Sequence, residues 1–168
     1  MDYGIDAVDL DKIAALIESD LPTKLYYTAF RDNAFDTHVH QNNLHTRLLT
    51  YASDAIRGFM SDLERMGRSN DVVLLVMTEF GRRVPENTSL GTDHGSAGPM
   101  FVIGSSVKGG HYGEIPDLVN GLDEGDNLKY TTDFRSVYAT LIDRWLEVDS
   151  KNILRKNFQT FDIFDRTV

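Results

Sequence analysis

Apolar positions along this chain alternate between a three-to-four-residue spacing and short continuous runs. Leu10, Ile13, Leu16 and Ile17 form one helical face behind Asp9, a residue type that caps helices, and Pro22 follows the stop. Lys24 to Phe30 is rich in β-formers and reads as a strand. Arg31 to Asn43 is polar and reads as a loop. Leu44, Leu48, Ala52, Ile56, Phe59 and Leu63 then recur every three or four residues, which predicts a long amphipathic helix ended by Gly67. Val72 to Met77 is apolar and β-branched and stops at Thr78-Glu79. Such a run predicts a strand buried on both faces, the kind found in parallel sheets. Gly81 to Gly98 predicts a loop, and Met100 to Ile103 a third strand closed by Gly104. Gly104 to Asn127 predicts irregular surface chain with room for one short hairpin. Thr132 or Asp133 caps a last helix, whose stripe is Phe134, Val137, Tyr138, Leu141, Ile142, Trp145 and Leu146. Phe158 to Phe164 is apolar enough to dock on the body. The order β-α-β-β-α behind an N-terminal helix predicts one α/β domain over residues 1–168, with a central, mostly parallel sheet flanked by helices.

Composition narrows the classes. An apolar content of 41% over 168 residues supports a substantial core. The net charge of -9 repels a phosphate backbone, which argues against nucleic acid as a partner, and it attracts cations. The absence of cysteine excludes disulfides, thiolate metal sites and a cysteine nucleophile. No run approaches the ~18 apolar residues of a membrane span. The acidic start MDYGIDAVDL carries no signal-peptide pattern, so the chain is expected either to be cytosolic or to lack its natural N-terminus. Oligomeric state leaves no trace in the sequence.

The chemistry gathers at the ends of apolar runs, where open α/β sheets bind ligands. In Asp36-Thr37-His38-Val39-His40, an extended backbone would turn Asp36, His38 and His40 to one side. Imidazole and carboxylate together suit Zn, Mn or Fe. The plain alternative is a solvated loop with exposed histidines. His45, on the next helix, reads as a surface or capping residue. Glu79 closes a run expected to be buried, where an unpaired charge is costly. A metal, Arg82 or Arg83, or the N–H groups of a following turn would satisfy it. Arg82 is a candidate clamp for phosphate or sulfate oxygens, or an ordinary surface arginine. Gly91-Thr92-Asp93-His94-Gly95 flanks a ligand pair with glycines that permit close backbone approach; the alternative is a simple turn. His111 reads as a loop residue. Phosphate-loop, dinucleotide, G-x-S-x-G and H-E-x-x-H patterns are absent from the sequence.

The segments FDTHVHQ, TEFGRRVPEN, GTDHGSAGPMFVIGSSVKGGHYG and KYTTDFRSVYATLI, in this order, resemble the bacterial "domain of unknown function 1501" family over roughly Lys24 to Leu154. That family is similar to alkaline phosphatases and sulfatases. The resemblance implies the C-terminal part of an alkaline-phosphatase-like α/β fold and a site of divalent ions held by Asp and His. Matched by motif, Asp36 with His38 or His40 makes one contribution. Glu79 stands where relatives place an Asp, usually followed by His; here Phe80 follows, so one imidazole is missing. His94 falls at the family's late histidine, with Asp93 beside it as a ligand or an orienting group. The superfamily's nucleophile and first Asp belong to an N-terminal half that this chain does not match. Family members are usually more than twice this length and often begin with an export signal. Thr37, Thr92 and Ser96 are the hydroxyls beside the cluster, and none stands where the nucleophile would be. The resemblance therefore implies metal-assisted hydrolysis of a small phosphate or sulfate ester in the intact protein. The rival reading is a non-catalytic binding or structural module whose polar clusters are salt bridges.

Overall fold

The computed structural model describes residues 1–30 and 33–165. Arg31 and Asp32, at the start of the expected polar loop, lie outside the described residues. The chain forms two compact units: residues 1–72 with 85–93, and residues 73–84 with 94–168.

In the first unit, α1 (Leu10–Glu18) buries Leu10, Ala14 and Ile17, while Leu16, assigned to that face from its spacing, is exposed. Asp9 is not a side-chain cap. Its φ of 58° is left-handed, and its carboxylate pairs with Lys12 instead. The long helix α2 (Gln41–Arg65) starts three residues before the expected Leu44. It ends as its sequence requires. Gly67 takes φ 69°, its N–H donates to Glu64 O, and Arg68 N–H donates to Leu63 O, so two otherwise orphaned carbonyls are satisfied. Ala55, Phe59 and Leu63 of α2 pack with Leu10, Ala14, Ile17 and Tyr3 to form the core of this unit.

A polar tie crosses that core. The Tyr3 hydroxyl donates to Asp62 Oδ2 at 2.8 Å, and Arg65 Nε donates to Asp62 Oδ1 at 2.8 Å. The Arg65 hydrogen bond, helped by Tyr3, holds the Asp62 carboxyl below its usual range against the opposing effect of burial. Burial first, then Asp62, pushes the Tyr3 hydroxyl up. Asp62→Asn should cost about 2 kcal/mol near neutral pH, the scale of hydrogen bonds to a charged group. Because the folded carboxyl titrates below the unfolded one, its contribution is complete above about pH 4 and is lost as pH falls through the folded value. Urea unfolding of both proteins should show the gap between them closing in acid.

Lys24 to Phe30 corrects a strand assignment. The segment alternates as a strand does. Tyr26 packs on the core, Thr28 Oγ1 donates to Val8 O at 2.7 Å, and Phe30 meets Phe35 edge-on at 5.0 Å. Leu25 and Tyr27 point outward and are exposed. Yet no described residue forms a ladder with it.

The second unit holds the strands. β1 (Leu74–Val76) pairs antiparallel with β4 (Phe101–Ile103), Leu74 opposite Ile103. β2 (Gly81–Arg82) pairs antiparallel with β3 (His94–Gly95), inside the stretch expected to be loop. The central, mostly parallel sheet expected from the apolar runs is therefore overturned, and with it the alkaline-phosphatase-like architecture. Two short antiparallel ladders stand in its place among the described residues. The reason lies in the connections. Parallel pairing needs a crossover, usually helical, and no helix lies between β1 and β4.

Helix α3 (Phe134–Arg144) is capped as expected. Asp133 accepts from Arg135 N–H, and the Arg135 guanidinium holds its carboxyl down at about 2. The buried positions of α3 are small: Ser136, Ala139 and Thr140. They leave room for the chain end to dock, as its aromatic content predicted. Phe161 N–H donates to Thr140 Oγ1 at 2.9 Å, Lys108 N–H donates to Ile163 O at 2.8 Å, and Phe164 stacks on Trp145. A short helix α4 (Ser150–Leu154), capped by Asp149, precedes that segment. No helix among the described residues is long and apolar enough to cross a membrane.

Candidate metal centre

The site of the first unit is assembled by two pieces of chain. One is the approach to α2, residues 36–40. The other is the loop of residues 85–93. Their joint is made by the backbone: His40 N–H donates to Ser89 O and Gln41 N–H to Leu90 O, both at 2.9 Å. Two N–H groups at the start of a helix would otherwise lack partners, and the loop supplies them. Side chains repeat the tie. Gln41 Nε2 donates to Thr37 Oγ1 at 3.0 Å and to Thr37 O at 3.2 Å, while Thr92 Oγ1 donates to Gln41 Oε1 at 2.7 Å. Gln41 and Thr37 are buried, so this polar bridge is part of the scaffold.

On that scaffold Asp36, His38 and Asp93 come together. His38 Nε2 lies 3.0 Å from Asp36 Oδ1, and His38 Nδ1 lies 3.6 Å from Asp93 Oδ1. The side chains of Asp36, His38 and Asp93 keep 36%, 41% and 53% of their surface open to solvent. Both ring nitrogens of one imidazole thus face carboxylates. A neutral imidazole has one N–H and one lone pair. Whichever nitrogen carries the hydrogen, the other directs a lone pair at a carboxylate. Such an arrangement of an imidazole between two carboxylates suits a cation.

The donor set fits a divalent ion. An imidazole nitrogen and a carboxylate oxygen 3.0 Å apart can share one ion of the Zn or Mn class, whose bonds to such atoms are about 2.0–2.2 Å. A metal-binding histidine ordinarily donates its other N–H to a carboxylate, which fixes the ring. Asp93 stands on the Nδ1 side at 3.6 Å, longer than a hydrogen bond but on the side where such a carboxylate acts. Of the two roles open to Asp93 from its sequence, the geometry suits the orienting one.

His40, Glu79 and His94 are set differently in the chain. His40 is the residue before α2, with φ 46° and ψ 43°. The segment is not extended there, so the strand alternation that would align His40 with Asp36 and His38 fails, and His40 is exposed. Glu79 is exposed as well, so the desolvation argument for a partner lapses, and it makes no ion pair among the described residues. His94 lies in β3 of the second unit, one peptide bond beyond Asp93 and paired in register with Arg82. Its ring lies flat on Phe80 at 3.7 Å with an interplanar angle of 13°. The Arg82 guanidinium lies 5.2 Å from the same ring. His45, half-buried within α2, sits edge-on to Phe35, a packing role rather than the surface or capping role expected. Gln41, Asn87 and Thr92 were missed as scaffold residues. Asn87, Ser89 and Gly91 carried only the general signal of a turn.

A family model described as "Protein of unknown function (DUF1501)" matches residues 18–156. The chain belongs to that family. Neither a curated protein nor a solved structure matches it. The family match contains every residue of the cluster and reaches from the end of α1 past α4.

Proposed function

We propose that this DUF1501 chain supplies a divalent-metal site to the hydrolysis of phosphate or sulfate esters. The supporting observation is the His38 imidazole set between two carboxylates, 3.0 Å from Asp36 and 3.6 Å from Asp93. Asp36 and His38 Nε2 are the proposed ligands, Asp93 orients the ring, and His94 and Glu79 are further ligand candidates from the family motif. A bound divalent ion supplies Lewis acidity toward an ester oxygen and a more acidic bound water. Arg82 is the proposed contact for the anionic ester. The kinship with alkaline phosphatases and sulfatases belongs to this proposal and rests on the motifs alone, without the parallel-sheet architecture.

The hydroxyls beside the motifs are engaged in holding the chain. Thr37 and Thr92 bond Gln41, and Ser96 Oγ donates to Leu128 O at 3.0 Å. A nucleophile needs a positioned, activated group, which these contacts do not provide. The purified chain with Zn or Mn should therefore show no aryl phosphatase or sulfatase turnover above a metal-free control. Robust turnover lost on His94→Ala would show instead that the chain is self-sufficient.

The non-catalytic reading has its own support in the same contacts, because a doubly protonated His38 would pair with both carboxylates without any metal. Metal content of the purified protein and calorimetric titration with Zn and Mn separate the two. Binding at a stoichiometry near one ion supports the metal site, and the absence of heat with either ion leaves the salt-bridge module.

A further inference from the structure

Asn87 uses its whole amide. Its Oδ1 accepts from Ser89 N–H at 2.9 Å and Gly91 N–H at 3.1 Å, which folds the loop back on itself. Its Nδ2 donates in the other direction, to His38 O at 3.1 Å and to Asp93 Oδ1 at 3.1 Å. One NH2 group therefore bonds the backbone of the imidazole residue and the carboxylate that faces the imidazole. The Asp93 oxygen it holds is the same one that lies 3.6 Å from His38 Nδ1.

From this geometry we infer that Asn87 is a positioning residue for the metal centre, setting the Asp93 carboxylate against His38 Nδ1 and so fixing the direction of Nε2. The inference rests on the metal-binding reading for its function and on the hydrogen bonds alone for its mechanics. Asn87 touches neither substrate nor metal. It works through Asp93, because its hydrogen bond to Oδ1 favours the rotamers of a half-exposed carboxylate that face the ring. Outer partners of a ligating histidine typically contribute ten- to a hundredfold in metal affinity.

Two variants separate positioning from loop folding. Asn87→Asp keeps the Oδ1 acceptor for Ser89 and Gly91 and removes the donor to Asp93 and His38 O. Asn87→Ala removes both. Calorimetric titration with Zn should show each variant weaker than wild type by at least about tenfold. In an Asp93→Ala background, where the carboxylate to be positioned is gone, Asn87→Asp should not weaken binding further by more than about threefold, while Asn87→Ala, which also unties the loop, should still weaken it. Equal losses for Asn87→Asp in the two backgrounds, or no loss in wild type, overturn the inference. A metal-free measurement distinguishes its failure from failure of the metal site itself. In NMR spectra of the apo protein, the Asn87 side-chain amide protons should be shifted from free-amide positions and slow to exchange, and Asp93→Ala should move them back. If the wild-type protein binds no metal but the amide responds to Asp93→Ala, the metal reading fails and the positioning geometry stands. If the amide resonates as a free group and ignores Asp93→Ala, the positioning role is wrong whatever the metal does.

Discussion

Asp36→Asn and His38→Ala should each abolish the rise in stability that Zn or Mn gives the wild-type protein. An ion at a hundred times its dissociation constant stabilises the state that binds it by about 2.7 kcal/mol, and that increment disappears with the site. His38→Ala removes the nitrogen ligand. Asp36→Asn keeps the shape of the side chain and removes the charge 3.0 Å from Nε2. Both positions are partly exposed, so neither change should greatly lower the stability of the metal-free protein. His111→Ala, an exposed histidine in the second unit, serves as the control and should keep the full response. Affinity should also fall as pH is lowered, since binding requires ligands free of protons. Thermal melts with and without metal, on all four proteins, decide the matter. If His38→Ala and His111→Ala respond alike, the imidazole between the carboxylates is an ion pair and nothing more.

The helices were legible because their signals are local. Spacing located α1, α2 and α3, and Gly67 and Asp133 marked ends that depend on one residue's own conformation or side chain. Asp9 shows the limit of such marks. The residue type is right for a cap, but a left-handed backbone points its side chain elsewhere. Helix α4 spans only five residues, too few for a periodic pattern. The strands at Leu74–Val76 and Phe101–Ile103 were found within the expected runs, whereas their pairing was not. Which strand lies beside which, and in what direction, is a non-local property that an apolar run does not encode. Lys24 to Phe30 makes the same point from the other side. Its alternation is real, with Tyr26 and Thr28 inward and Leu25 and Tyr27 outward, but a strand pattern does not guarantee a ladder.

The candidate site was legible in its residue types and obscure in its mechanics. Asp36, His38 and Asp93 stand out as carboxylates and imidazole in Gly-rich or polar chain, and the first unit gathers those three. His40 was expected beside them on the assumption of an extended segment, and the turn into α2 removes it. The case for Glu79 rests on burial of its strand end, and that end is exposed. Asn87 had no signal of its own, because an asparagine in an Asn-Thr-Ser-Leu-Gly stretch is a turn residue by default. Its double donation becomes visible only when residues 38 and 93 are placed on either side of it.

Gly91→Ala should damage the fold of the first unit and the metal site together. A Cβ built at Gly91 would lie 2.2 Å from His38 O and 2.5 Å from the His38 carbonyl carbon. Both are backbone atoms at the mouth of α2, so no side chain can swing aside to make room. The loop cannot lift freely either, since Ser89 O and Leu90 O accept from His40 and Gln41 N–H, and Asn87 N–H donates to Gly91 O at 2.8 Å. Forcing the methyl in must break some of these bonds or displace His38, at an expected cost of about 2–3 kcal/mol. The same displacement moves Asp93 away from the ring, because residues 87, 91 and 93 travel as one loop. Urea unfolding should report the lost stability, and Zn titration of the folded variant should report weakened binding. Thr88→Ala, an exposed change in the same loop, should leave both unaltered. A Gly91→Ala protein with wild-type stability and wild-type affinity would mean that the loop does not press on His38, and the joint between residues 36–40 and 85–93 would have to be redrawn.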